Sequence, residues 1–87
     1  MKLEFTILAL RDLSHLPKKI AARIMTKMEW YAAQQDPLSF GKPLKDVRLG
    51  NYRFRVGDYR VIVDVQHSHI SVLLVLAVRH RKDAYRL

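Results

Sequence analysis

The chain contains no cysteine. That excludes a disulfide framework and a thiolate nucleophile. It is consistent with a cytoplasmic protein, which is the expected location. Glycine and proline are scarce, with three of each. So few breakers in a chain that is almost half apolar argue for a packed globule and against disorder. No glycine-rich phosphate loop of either common form occurs. No long apolar run occurs either. The longest is Val72 to Val78, far short of the roughly 20 residues that a membrane-crossing helix needs. The opening MKLEFTILAL is interrupted by Glu4 and followed by Arg11 and Asp12, so no secretory signal is expected. Acidic residues are also few, eight against sixteen Lys and Arg.

What is present is positive charge on 87 residues, a length that predicts one domain spanning 1–87. The net charge is +8, and it is uneven. Residues 1–41 carry six basic and four acidic groups, whereas residues 42–87 carry ten and four. An excess gathered in one half points to a polyanionic partner. No basic amphipathic helix supports a membrane surface in that role.

The apolar pattern predicts an α+β fold. Leu3, Phe5 and Ile7 alternate with Lys2, Glu4 and Thr6, which reads as a half-buried strand over 2–7. Residues 11–17 read as a short helix or turn. Pro17 then suits the first turn of a second helix. Ile20, Ile24, Met28 and Tyr31 form one helical stripe from Lys18 to about Gln34, with Ala21 and Ala32 alongside. Trp30 falls at its packing boundary. Asp36-Pro37 ends that helix, and residues 36–43 read as a loop. Three strands follow: Tyr52 to Val56, Tyr59 to Gln66, and Ile70 to Val78. Gly57-Asp58 and His67-Ser68-His69 mark the turns between them. The last strand is apolar on both faces, which predicts cover on both sides. The expected architecture is an N-terminal strand, two helices and an antiparallel β-meander, with the helices on one face of the sheet.

Arginines at strand positions carry the chemistry. Arg53 and Arg55 are two residues apart and share a face. A tight turn at Gly57-Asp58 sets Arg60 opposite Arg55. Three guanidinium groups on one face repel one another, and their paired N–H donors match phosphate. The plainer reading is a solvated outer face partnered by Asp58 and Asp64. After the last strand comes Arg79-His80-Arg81-Lys82-Asp83-Ala84-Tyr85-Arg86. Cations flanking an imidazole favour its neutral form, which suits proton removal from a ribose hydroxyl. The plainer reading of His80 is a surface histidine at a strand end. Tyr52, Tyr59 and Tyr85 put rings near this face, where they would stack unpaired bases; for Tyr52 and Tyr59, core packing is the stronger reading. His67 and His69 form an H-x-H at a turn without a third ligand, so no metal or other cofactor is expected.

The segments Lys42-Pro43-Leu44-Lys45, Leu49-Gly50-Asn51-Tyr52-Arg53-Phe54-Arg55-Val56-Gly57-Asp58-Tyr59-Arg60 and His80-Arg81-Lys82-Asp83-Ala84-Tyr85 resemble the RelE-type toxins of bacterial toxin–antitoxin pairs. The resemblance implies a metal-independent endoribonuclease that cuts mRNA on the ribosome. A ribose 2′-hydroxyl attacks the adjacent phosphate, leaving a cyclic phosphate and a 5′-hydroxyl. By position, Arg53 and Arg55 match the family's basic pair, Arg60 its phosphate-binding arginine, Arg81 the arginine after the last strand, and Tyr85 the tyrosine that orients substrate. His80 matches a histidine found in many relatives. Lys42, Lys45, Arg48 and Arg79 would add RNA-binding charge. Some relatives carry a lysine base in the basic pair; Arg55 does not readily lose a proton, so His80 or Tyr85 would serve. Arg79 stands where relatives often have glycine. The resemblance also implies a cognate acidic antitoxin. Two alternatives stand beside this reading: a ParE-like toxin acting on DNA gyrase, and a non-catalytic RNA- or DNA-binding module.

Overall fold

The computed structural model describes residues 1–46, 48–67 and 69–83. In chain order they form β1 (Lys2–Phe5), α1 (Ile7–Ser14), α2 (Lys18–Ala33), β2 (Lys42–Pro43), β3 (Tyr52–Val56), β4 (Tyr59–His67) and β5 (Ser71–His80). The five strands make one sheet in the order β1-β5-β4-β3-β2. Strands β2 to β5 pair antiparallel, and β1 joins β5 in parallel, Leu3 opposite Leu73. This is the α+β architecture that the sequence predicts.

Both helices lie on one face of the sheet. Ala9 and Leu13 of α1 and Ile24, Met28, Tyr31 and Ala32 of α2 share a buried core with Phe54, Val56, Val61, Val63, Leu73, Val75 and Val78. The α2 stripe is the one read from spacing. Along β3 and β4 every second residue enters this core, so the residues between them face the other way. The strand β5 carries one extra residue, because Val61 faces Val78 while Val63 faces Val75. Such a bulge bends the strand and sharpens its twist.

The structure differs from the sequence reading in several places, among them the last strand, which runs from Ser71 to His80 and so contains Arg79 and His80 instead of ending at Val78. The first strand stops at Phe5 because Thr6 caps α1: its hydroxyl oxygen accepts from the Ala9 amide at 3.1 Å. Ile7 therefore starts a helix and is 81 % exposed instead of lying on a buried strand face. Residues 36–43 hold a 3-10 turn, Pro37–Phe40, and the two-residue β2, which pairs with Tyr52 and Arg53. Cover on β5 is deeper on the helix side: Leu73 and Val75 are fully buried there, while on the opposite side Ala77 is buried and Leu74 and Leu76 are half-buried. No helix among the described residues is long and apolar enough to cross a membrane.

Candidate functional site

The site is built on the hairpin of β3 and β4. Val56 faces Tyr59, so Gly57 and Asp58 form a two-residue turn. Gly57 has φ +58°, a left-handed conformation that costs other residues about 1–2 kcal/mol. The tight turn fixes the register. Arg55 stands opposite Arg60, Arg53 opposite Ile62, and Lys42 of β2 opposite Arg53. Facing residues of antiparallel strands share a side. Because Phe54 and Val61 enter the core, these cations gather on the side away from the helices.

The strand β2 covers β3 only as far as Arg53. Beyond it, the Tyr31 hydroxyl donates to the Arg55 carbonyl at 2.9 Å, closing the open edge. Burial raises the Tyr31 pKa, against the opposing effect of Arg55, so the phenol stays a donor. Tyr31 and Phe40 reach round this edge and line a hollow of about 390 Å³ with Lys42, Arg53, Arg55 and Arg60.

Arg60 is the electrostatic centre of the hollow. Its guanidinium donates to the carbonyls of Gly57 and Tyr59, both at 3.0 Å, which fixes its position on the turn. Burial lowers its pKa from the ordinary value, and Arg55, Arg53 and Arg81 push it the same way, against Asp58. A guanidinium keeps its proton regardless. The result is a half-buried cation held among three others, where an anion relieves repulsion on arrival. Arg81 follows β5 and is placed by its backbone: its amide donates to the Asp58 carbonyl at 2.7 Å. Its Nε lies 3.9 Å from the Asp58 carboxylate.

The remaining predicted residues are distributed differently. Lys45 lines an adjoining hollow that shares Lys42 and Arg53 with the first. Arg48 is paired with Asp46 through two short contacts, Nε to Oδ1 at 3.0 Å and Nη2 to Oδ2 at 2.8 Å. Arg79 faces Arg60 in register, yet its guanidinium turns to Asp12 of α1 at 2.8 Å. The same Asp12 oxygen accepts from the Val78 amide at 2.9 Å. Arg79 thus ties α1 to the free upper edge of β5. His80 faces Tyr59, their rings edge to face at 5.4 Å. That puts His80 on the helix side of the sheet and Arg60 on the other. Its Nδ1 accepts from the Lys82 amide at 3.2 Å, so in a neutral ring the proton sits on Nε2. Tyr85 lies outside the described residues. Tyr52 and Tyr59 pack against the core. The aromatic groups that do line the hollow are Tyr31 and Phe40, which sequence reasoning misses. Helical spacing assigns Tyr31 to the core alone. Phe40, 45 % exposed, sits in a segment that reads as loop, with Pro37 ahead of it as the one local sign of structure.

The family described as ParE toxin of type II toxin–antitoxin system matches residues 3–85. Toxin RelG of Mycobacterium tuberculosis is 37% identical over 82 residues, covering 94% of this chain and 92% of the relative. Toxin RelE of the same organism is 35% identical over 82 residues, covering 94% and 82%. The solved toxin–antitoxin complex RelBE2 from Mycobacterium tuberculosis superposes with a TM-score of 0.74 at 32% identity, covering 92% of this chain and 96% of that one. A family match over nearly the whole chain, together with relatives of this identity and length, makes the protein a member of the RelE/ParE family of toxins from type II toxin–antitoxin systems.

Proposed function

We propose that this toxin is a metal-independent endoribonuclease that cleaves mRNA on the ribosome. The observation that carries the reading is the half-buried Arg60, fixed on the hairpin turn and surrounded by Arg53, Arg55 and Arg81. Its purpose would be to hold the scissile phosphate as charge builds on it. In the reaction a 2′-oxygen bonds to the adjacent phosphorus and the bond to the 5′-oxygen breaks. The 2′-hydroxyl proton passes to a base, and the departing 5′-oxygen gains a proton. The products are a cyclic phosphate and a 5′-hydroxyl. Lys42 on β2 and Lys45 just beyond it extend the phosphate track into the adjoining hollow. Arg48 and Arg79, held by Asp46 and Asp12, contribute less free charge than the sequence suggests. His80, on the far side of the sheet with Nδ1 engaged, fits a positioning role for the turn that carries Arg81. Of the two candidates for the base, His80 and Tyr85, this reading favours Tyr85, which lies outside the described residues.

The test is Arg60→Ala and Arg81→Ala in cells and in a translation extract. Each should lower mRNA cleavage by about 10²–10³-fold, the scale of losing one charge-assisted donor at a transition state, with the fold retained by circular dichroism. Full cleavage by both variants would overturn the assignment. The matching family is described by the ParE branch, so a gyrase assay with supercoiled plasmid belongs beside it. Gyrase inhibition without mRNA cleavage would select that second reading. We further propose a cytoplasmic location and an acidic cognate antitoxin that covers the arginine hollow. The similar solved structure is itself a toxin–antitoxin complex.

A further inference from the structure

On α2, the residues just off the buried stripe are Lys19, Arg23, Lys27 and Trp30, spaced four, four and three apart. They therefore form one exposed line along the helix. Like charges at such spacing destabilise a helix, and no acid within α2 offsets them. The one acidic residue there, Glu29, has Met25, Thr26, Ala32 and Ala33 at the positions three and four away. Trp30 is 46 % exposed, which leaves part of its ring accessible to a ligand. It meets Phe40 edge to face at 5.2 Å, and Lys27 Nζ stands 4.5 Å from its ring centre.

These residues line a groove of about 600 Å³ between α2 and the β3–β4 turn, whose other wall is Arg55, Val56 and Gly57. That volume is in the range of ligand sites. The groove is continuous with the arginine hollow in two places. Arg55 lines both. Trp30 and Phe40, in contact, line one each. Arg23 also lies on the turn whose Gly57 carbonyl anchors Arg60.

We infer that this groove is a second RNA subsite, holding a nucleotide of the single strand that flanks the scissile phosphate. Its base stacks on Trp30 while Lys19, Arg23 and Lys27 hold the neighbouring phosphates. The inference rests on the nuclease reading and deepens it. The flexible Lys27 side chain yields the indole face to the base and turns its charge to phosphate. Cations interleaved with an exposed ring are the chemistry that grips single-stranded RNA without reading its sequence. An acidic protein segment would satisfy the cations, but it would leave the planar ring unexplained.

Trp30 is the only tryptophan in the chain, so its emission reports on this groove alone. The probe is a short single-stranded RNA with 2′-O-methyl riboses, which cannot be cleaved, carrying a fluorescent label for anisotropy. Expected is quenching of Trp30 with the same midpoint as the anisotropy change. Trp30→Ala should weaken binding about tenfold, as the loss of one stacked base does, and Trp30→Phe should recover much of it. Because Trp30 packs on Phe40, a variant on the exposed charges provides a check independent of folding. The triple change Lys19→Gln, Arg23→Gln, Lys27→Gln should reduce the slope of log affinity against log salt by about 2, at about 0.7 per phosphate contact. Binding with unchanged Trp30 emission, or an unaltered slope in the triple variant, would overturn the subsite. So would quenching by an acidic peptide with none by RNA. Cleavage is measured separately with natural RNA in a translation extract. Wild-type cleavage with a silent Trp30 removes the subsite alone, while quenching without any cleavage keeps the subsite and removes the nuclease.

Discussion

Arg55 and Arg60 face each other across β3 and β4. Like charges in that position destabilise a sheet by a few tenths to about 1 kcal/mol. The hollow thus carries a stability cost that a bound anion would relieve. Arg55→Gln should raise the urea midpoint by an amount worth about 0.2–1 kcal/mol, more at low salt than at high salt, while lowering mRNA cleavage. A variant that loses both stability and activity would show that the pair does not repel in the folded state. The role of His80 is decided by His80→Asn, whose Oδ1 replaces Nδ1 as acceptor for the Lys82 amide. A positioning residue predicts cleavage within about tenfold of wild type and an unchanged pH–rate profile. A base predicts a loss of about 10²–10⁴-fold and the disappearance of one limb of the pH–rate profile. The Arg55–Arg60 pair was legible in the sequence because a two-residue turn leaves one register. The side of the sheet taken by His80 was not, because it depends on the β4–β5 register and hence on a bulge that no local signal marks.

At the scale of elements, α1 is held to β5 by one carboxylate. Asp12 accepts from the Val78 amide and from Arg79, and both side chains of the ion pair are largely buried, at 26 and 17 % exposure for Arg79 and Asp12. Removing Asp12 strands a backbone donor and a guanidinium together. Asp12→Ala should cost about 1–3 kcal/mol. Combined with Arg79→Ala, part of that loss should return, because the stranded charge is gone. Chemical unfolding of the four proteins in the cycle measures the coupling; strictly additive losses would show that the contact does not matter. The identities of α2, β3 and β4 could be read from period, since their apolar residues repeat at 3.6 or 2, with Ile62 the one apolar residue on the opposite face of β4. The start of α1 could not. Leu3, Phe5 and Ile7 continue a strand pattern that Thr6 breaks by capping a helix. The Asp12–Arg79 contact links residues far apart in the chain, and no spacing rule reaches that distance.

Across the whole molecule, positive charge governs how partners approach. With +8 on 87 residues, association with an acidic antitoxin should be steered electrostatically and slow as salt screens it beyond about 8 Å near physiological ionic strength. Stopped-flow mixing of toxin and antitoxin across a salt series is the measurement. A rate independent of salt, or a complex that still cuts mRNA at full speed, would refute masking of the hollow.

The parallel pairing of β1 with β5 sets residues 2–5 against residues 72–75. Thr6 reaches the same segment through its backbone and its hydroxyl. Contacts of such separation close late, since the loop entropy must be met before they return anything. The β3–β4 hairpin can form on its own, but the sheet that buries α1 and α2 waits for β5. On an emerging nascent chain the early strand therefore has no partner until most of the polypeptide is out. A chain built this way completes its sheet, and the burial of α1 and α2 against it, only once β5 has been made.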